Sequence, residues 1–238
     1  MKFNQQDKKS IQTLFNQIAP NYDLLNNLIS FGLHKFIKKR AVDYLRCKNF
    51  QPLKILDLCT GTGDIAIELQ KIYPKAQIIA VDFSQTMLTI AKNRSQTINF
   101  IQKDITNLGT ETPFEENSFD ICFISYGLRN LPDIDDFLTN IKKYLKPNGI
   151  LSILDFGAPK WYTKPYLTLH YHIIIPFMAL IFNKDTAPYH YLTKSIKTYP
   201  TPDKIINKLN QLGYQKCKQK SYCFGIISQQ IACLGNSN

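Results

Sequence analysis

Apolar residues recur along the chain in two rhythms. Short unbroken runs lie at 53–58, 77–81, 98–101, 119–125 and 150–156. Runs of that length, rich in Ile, Val, Leu and Phe, predict buried strands. Between them the spacing changes to that of helices. Ile65, Ile67, Leu69 and Ile72 predict a helix over 64–72. A second helix is predicted over 84–93, with Ser84 as its N-cap, and a third over about 133–146. Lys146-Pro147-Asn148-Gly149 reads as a turn ahead of strand five, and 107–118 as a Gly-, Thr-, Pro- and Glu-rich loop. Strands alternating with helices of this length imply a doubly wound α/β fold around a mostly parallel sheet. A helix over 202–212 is followed by two β-like runs, Tyr214–Phe224 and Ile227–Leu234. A closing hairpin there brings the sheet to seven strands.

The flanks depart from the alternation. Residues 1–50 are helical in pattern, with breaks at Pro20-Asn21-Tyr22-Asp23 and at Ser30-Phe31-Gly32-Leu33-His34. Such a segment ahead of the first core strand is expected to form a lid over the pocket. Tyr166–Phe182 is nearly apolar but punctuated, and its uninterrupted part, Ile173–Phe182, is ten residues. A membrane-spanning helix needs ~20, so this stretch predicts a buried helix pair or the lining of an apolar pocket. The 238 residues read as a single domain in four parts: a helical N-terminal segment (1–50), a nucleotide-binding core (51–159), a helical insertion (160–200), and a final helix with the hairpin (201–238).

Charge follows the same division. Residues 1–50 carry nine Lys/Arg against three Asp, and residues 160–238 carry ten against two. The core between them is mildly acidic, with ten against thirteen. Basic flanks suggest an anionic partner, nucleic acid or a membrane surface, or else Lys-rich solvated faces in a Lys-, Asn- and Ile-rich composition; no basic run resembles a continuous nucleic-acid tract. Six cysteines form no Cys-x-x-Cys pair and have no His at zinc-ligand spacing, so no metal site is expected. The N-terminus is polar and charged, without a signal peptide, which fits a reducing cytoplasm.

The densest chemistry lies at the end of the first strand. Ile55-Leu56-Asp57-Leu58 runs into Cys59-Thr60-Gly61-Thr62-Gly63, and a helix opens at Asp64. Strand, glycine loop and helix form a nucleotide-binding opening, in which Gly61 and Gly63 permit a tight turn and close ligand approach. Asp82, closing the second strand, is placed to accept both ribose hydroxyls of an adenosine. Two carboxylates, Asp57 and Asp64, flank the loop, which disfavours a diphosphate at the helix N-terminus and hence a dehydrogenase. A ligand with a sulfonium and an ammonium group, S-adenosylmethionine, suits them.

Over nearly its whole length the chain resembles the S-adenosylmethionine-dependent C-methyltransferases of menaquinone and ubiquinone biosynthesis (the MenG/UbiE family). The resemblance rests on Ile18-Ala19-Pro20-Asn21-Tyr22-Asp23, Ser30-Phe31-Gly32-Leu33-His34, the loop through Asp64, Val81-Asp82-Phe83-Ser84 with Met87, and Tyr189–Ile196. Its most specific stretch is Ser125-Tyr126-Gly127-Leu128-Arg129-Asn130. Two departures are Lys35-Phe36-Ile37-Lys38-Lys39, where the family often has Trp and a basic pair, and Asn148, where it usually has glycine.

The resemblance implies a Rossmann-like class I methyltransferase with an N-terminal helical lid. It implies methylation of a ring carbon of a prenylated quinol: demethylmenaquinol to menaquinol, or the polyprenyl methoxy-benzoquinol of the ubiquinone route, or both. Asp57, Gly61, Thr62, Gly63, Asp82, Phe83, Met87, Asp104, Ile105 and Ser125 are then expected at the cofactor. Arg129, Asn130 and Tyr22 are expected on the acceptor side. The alternative for Arg129 is an ion pair with Asp133 or Asp135. His34, His170 and His172 are further candidate bases. A prenyl tail implies a cytoplasmic protein peripheral to the inner face of the membrane, and a homodimer is compatible with the sequence. The rivals are a methyltransferase for another acceptor, though no base-flipping motif follows strand four, and a non-catalytic scaffold on the same fold.

Overall fold

The computed structural model describes residues 8–46, 50–107, 114–169 and 187–235. Seven strands make one sheet in the order β3-β2-β1-β4-β5-β7-β6. They are β1 (Lys54–Leu58), β2 (Gln77–Asp82), β3 (Asn99–Gln102), β4 (Phe119–Ser125), β5 (Leu145–Phe156), β6 (Tyr214–Tyr222) and β7 (Ile227–Leu234). The first five are parallel, and β7 inserts antiparallel between β5 and β6. The chain therefore reverses its strand order beside β1, between β1 and β4, the switch point outside which ligands bind in such sheets.

Side chains alternate across a strand, so each central strand feeds two cores. Leu56 and Leu58 join Cys122, Ile124, Leu151 and Ile153 on one face. Helices α6 (Ile134–Ile141) and α9 (Pro202–Gln211) cover that face through Phe137, Leu138, Ile205 and Leu209. Ile55, Ile121 and Phe123 point the other way, against α3 (Leu33–Asp43), α4 (Asp64–Ile72) and α5 (Gln85–Arg94). Strands buried on both faces must be apolar almost throughout, hence the unbroken runs in the sequence.

The N-terminal segment forms α1 (Lys8–Ile18), α2 (Tyr22–Ser30) and α3, with the predicted breaks. Pro20 sits in the short 3₁₀ turn Ala19–Asn21. Phe31 and Gly32 both take left-handed conformations, with φ of 50° and 77°. Two short helices, α7 (Lys164–Leu169) and α8 (Ala187–Thr198), precede α9. The apolar reading of Ile173–Phe182, and with it His170 and His172, lies outside the described residues, as does part of the 107–118 loop.

Strand five differs from expectation. The helix before it ends at Ile141 rather than near 146, and the strand begins at Leu145. Leu145 pairs with Phe119 and Ile150 with Ile121, so Lys146–Gly149 is a bulge within the strand. Proline donates no backbone hydrogen bond and Asn148 accepts φ 61°, so turn residues serve the bulge. Leu145 is fully buried, and pairing ahead of the bulge keeps it in the core.

Candidate active site

The site grows from the carboxyl ends of β1, β2 and β4. Past β1 the chain turns through Cys59 (φ 56°), Gly61 (φ 56°) and Gly63 (φ 86°). At Gly63 a Cβ would meet that of Ala91 at 3.2 Å and crowd Phe100, so glycine also lets α5 pack against the loop. Asp82 fastens the turn from β2. Its carboxylate accepts from the Gly61 amide (2.8 Å) and the Ser84 amide (2.9 Å). Burial lifts its pKa to about 6, although backbone N–H groups pull the other way. Asp57 is fully buried and accepts from the Thr60 hydroxyl at 2.6 Å. Burial raises its pKa to about 7, against the Thr60 bond and the charge of Lys38, and its Oδ1 has no hydrogen-bond partner.

A first cavity, of about 80 Å³, opens beside this loop. Gly61, Asp82, Phe83, Met87, Asp104, Ile105 and Ser125, all expected at the cofactor, line it. The Ser125 hydroxyl is buried there, without a partner among the described residues. Asp104 Oδ1 accepts from the Thr106 amide at 2.8 Å, which orients its loop. Helix α1 closes the cavity from above. Ile11 and Phe15 line it, Gln12 donates to the Phe83 carbonyl (2.7 Å), and Ser84 donates to Asn16 (2.6 Å). The lid is thus held by polar contacts to the residues just after β2.

Asp57, Thr62 and Gly63 lie outside the cavity lining. The Thr62 hydroxyl donates to Asp23 of α2 at 2.9 Å, and Arg94 contacts Thr62 and Asp23 together. Asp64 bonds Lys38 at 2.8 Å and Arg94 at 2.6 Å. Burial works against its charge, but the two cations outweigh that and hold its carboxyl well below the usual range. Of the two carboxylates expected to flank the ligand, Asp64 is instead neutralised within the protein and clamps α3 and α5 to the loop, and Asp57 is the one with no cation bonded to it among the described residues.

A second cavity, of about 700 Å³, adjoins the first. Tyr22 and Tyr126 line both. Its wall is mostly apolar, and its charged or titratable polar groups include Arg129, His34 and Lys38, the last already bonded to Asp64. Arg129 follows β4 in the turn Leu128–Asn130. Its guanidinium donates to Asp155 at 2.9 Å and to the Tyr126 carbonyl, and lies 5.2 Å from the Phe156 ring centroid. Burial disfavours its charge, but Asp155, through charge and hydrogen bond, together with Tyr191 and Tyr22 outweighs that and raises its pKa. Burial raises the Asp155 pKa, and Arg129 with the Phe156 amide only partly offsets it. Among the described residues Arg129 Nε has no partner. The alternative pairing does not form: Asp133 caps α6 by accepting from the Asp136 amide, and Asp135 pairs with Lys208 at 2.7 Å.

Asn130 lines the first cavity and accepts from the Tyr191 hydroxyl at 2.7 Å, which ties α8 to the site. His34 donates from Nε2 to Asn27 (2.9 Å), and its buried Nδ1 has no partner among the described residues. Burial, helped by Lys38, lowers its pKa to about 4, so at neutral pH it is an acceptor. Tyr126 and Asp155 stand in stretches that carry the family resemblance, but neither is among the site residues expected from sequence. Tyr126 neighbours Ser125 in the most specific stretch, but its left-handed φ of 54° and its place between two cavities emerge only in the fold.

The strand order, the glycine loop after β1 and a lidded cavity bounded by Asp82 are the architecture of the S-adenosylmethionine-dependent methyltransferases. Two solved enzymes of that description share the fold. One, from Archaeoglobus fulgidus, superposes with TM-score 0.65 at 16% identity, covering 89% of this chain and 99% of that one. The other, from Aquifex aeolicus, gives 0.62 at 16% identity over 92% and 98%. The chain belongs to the ubiE/COQ5 methyltransferase family, which matches residues 2–233. It is similar to the demethylmenaquinone methyltransferase of Chlamydia caviae, with 36% identity over 92% of this chain and 94% of that protein. The protein of the same name from Thermotoga maritima is 36% identical over 87% and 89%.

Proposed function

We propose that this protein methylates a ring carbon of demethylmenaquinol, with S-adenosylmethionine as donor. The observation that carries this reading is the pairing of two cavities at Tyr22 and Tyr126, one beside the glycine loop and one apolar with a buried cation in its wall. The first fits the donor: Asp82 is there for the ribose, Asp104 and Ile105 for the adenine, and the partnerless Ser125 hydroxyl awaits a polar ligand. Bound S-adenosylmethionine supplies an electrophilic methyl group, so no covalent enzyme intermediate is required.

The protein's own part is placement and charge. Holding two reactants in line is worth ~7–11 kcal/mol. The acceptor carbon becomes nucleophilic when the neighbouring hydroxyl ionises, yet a phenol titrates near ~10. Arg129, kept protonated by Asp155, stabilises that oxyanion from the wall of the second cavity. The partnerless His34 Nδ1 offers an acceptor to a quinol hydroxyl in the same cavity. Tyr22 offers a hydroxyl where the cavities meet. Loss of one hydrogen bond there should lower turnover by about two- to tenfold in Tyr22→Phe. Unaltered turnover would remove that hydroxyl from the mechanism.

Asp82 makes the donor site pH-sensitive. A carboxylate accepts two ribose hydroxyls, and its protonated form does so poorly. With its pKa raised to about 6, it is ionised above that pH and protonated below. S-adenosylmethionine affinity should be flat above neutrality and fall with pH below the Asp82 pKa, toward about tenfold per unit. In Asp82→Asn the profile should be flat and the affinity low at every pH. Calorimetric titration across that range reads both, and a wild-type profile without slope would exclude Asp82 from the ribose site.

The reading is tested with purified protein, labelled S-adenosylmethionine, and reduced demethylmenaquinone or the methoxy-benzoquinol offered separately. Product from the naphthoquinol supports the proposal, and product from both indicates an enzyme serving two quinone routes. No product from either, with the donor bound, moves the acceptor to another class. The basic flanks fit a protein held at an anionic membrane surface, where such an acceptor resides.

A further inference from the structure

The mouth of the second cavity carries a ring of exposed aromatic and aliphatic side chains. Phe31 is 70% exposed, Phe224 68% and Leu33 47%, and all three line the cavity. Trp161, the only tryptophan of the chain, is 78% exposed. It stacks edge-on against Tyr162, which stacks in turn against Phe224, with ring centroids 5.9 and 6.0 Å apart. Phe36, one helical turn beyond Leu33 on α3, is 59% exposed, with Arg40 over its ring. Large apolar side chains exposed together around one opening mark an interaction surface. Two of them, Phe31 and Phe224, are displayed from left-handed backbone (φ 50° and 55°), which a bulky residue adopts at a cost.

The surrounding charge selects the occupant. Lys35, Lys39, Arg40 and Lys160 are exposed on the segments that bear the ring, and Arg40 lies over Phe36. The segments that bear it, 31–40, 160–169 and 220–226, contain no Asp or Glu. Aromatics flanked by lysine and arginine match the boundary of an anionic bilayer, where rings sit at headgroup level and cations meet lipid phosphate. Among the described residues no helix is long and apolar enough to cross a membrane. We propose that this face inserts shallowly into an anionic membrane surface, with Trp161, Phe31, Phe36 and Phe224 in the headgroup boundary, so that the second cavity opens toward lipid. This deepens the quinol reading and rests on it only for what enters the cavity.

The test uses the full chain with S-adenosylmethionine present and the fluorescence of Trp161. Vesicles of phosphatidylcholine, with or without phosphatidylglycerol, are added, and then vesicles with brominated acyl chains. The expected result is a blue shift with the anionic vesicles and quenching by the brominated ones. A Phe36→Ser/Trp161→Ser variant, altered outside both cavity linings, should sediment with anionic vesicles about tenfold more weakly or worse. Its turnover on a quinol without a tail should match wild type, while turnover on vesicle-embedded long-tailed quinol should fall. An unchanged Trp161 spectrum with anionic vesicles overturns the proposal, whatever the quinol assay shows. So does a shift that needs no vesicles and follows protein concentration, which would assign the face to a second copy. A vesicle-dependent shift without methylation of any quinol would leave the docking face standing and overturn the substrate reading instead.

Discussion

Arg129→Ala is expected to lower turnover by about 10²–10³-fold, the usual loss on removing one donor to a developing oxyanion. S-adenosylmethionine affinity should change little, because Arg129 lines the second cavity and not the first. The variant should also be unstable. Asp155 is fully buried, and Arg129 is the cation bonded to it. Removing one member of a buried pair typically costs about 3–5 kcal/mol, because the other charge is left without a partner. The two effects separate in the double variant Arg129→Ala/Asp155→Asn. It should regain much of the melting temperature lost by the single variant and none of the turnover. If turnover returned together with stability, Arg129 would be a structural residue and the acceptor-side role would fall. Arg129→Lys should recover only part of either property, since a single nitrogen, Nη1, donates to both Asp155 and the Tyr126 carbonyl at the end of a longer side chain, and an ammonium also loses the planar face set over Phe156.

Gly127→Ala is expected to damage both cavities at once. A Cβ at position 127 would lie 2.5 Å from the Sγ of Cys59 and 2.6 Å from its Cβ. The Sγ could rotate away about χ1 but the Cβ is fixed by the backbone, so the end of β4 and the loop after β1 must move apart. Overpacking of this kind costs about 1–3 kcal/mol. Here the displaced segments also carry Ser125, Arg129 and Gly61, so donor affinity and turnover should fall together. Cys59→Gly should rescue the defect where Cys59→Ala does not, because alanine keeps the offending Cβ. Glycine also suits the φ of 56° at that position. Chemical denaturation of the three variants gives the order, and a stable, active Gly127→Ala would show that the two segments can separate freely.

Much of this architecture was legible in the pattern of apolar residues. Buried parallel strands need apolar side chains on both faces, so β1, β2 and β4 stand out as unbroken runs, and glycines mark the loop that must take positive φ. The predicted helices around the core match to within a residue or two where the apolar spacing is regular. The exception is the end of α6, where Leu145 and Tyr144 continued the helical spacing but belong to the sheet side of the core. Local pattern cannot separate those alternatives, because the deciding contact is with Phe119, which lies far back in the chain.

What the sequence by itself determined is the order of strands and helices, the glycine loop, the identity of Asp82, Ser125 and Arg129 as residues near strand ends, and the basic character of both flanks. These follow from local chemistry: side-chain period, backbone freedom and charge count. The tertiary structure alone decided how those groups are used. It paired Arg129 with Asp155 instead of the nearer Asp133 or Asp135, and neutralised Asp64 with Lys38 and Arg94. It turned Thr62 toward Asp23 and left Ser125 and His34 with partnerless atoms. It also gathered Phe31, Trp161 and Phe224 from distant segments around one opening. The physical reason is range: an ion pair, an unsatisfied hydroxyl or an exposed ring depends on which distant segment packs beside it, and that is set by the whole sheet and not by neighbours in sequence.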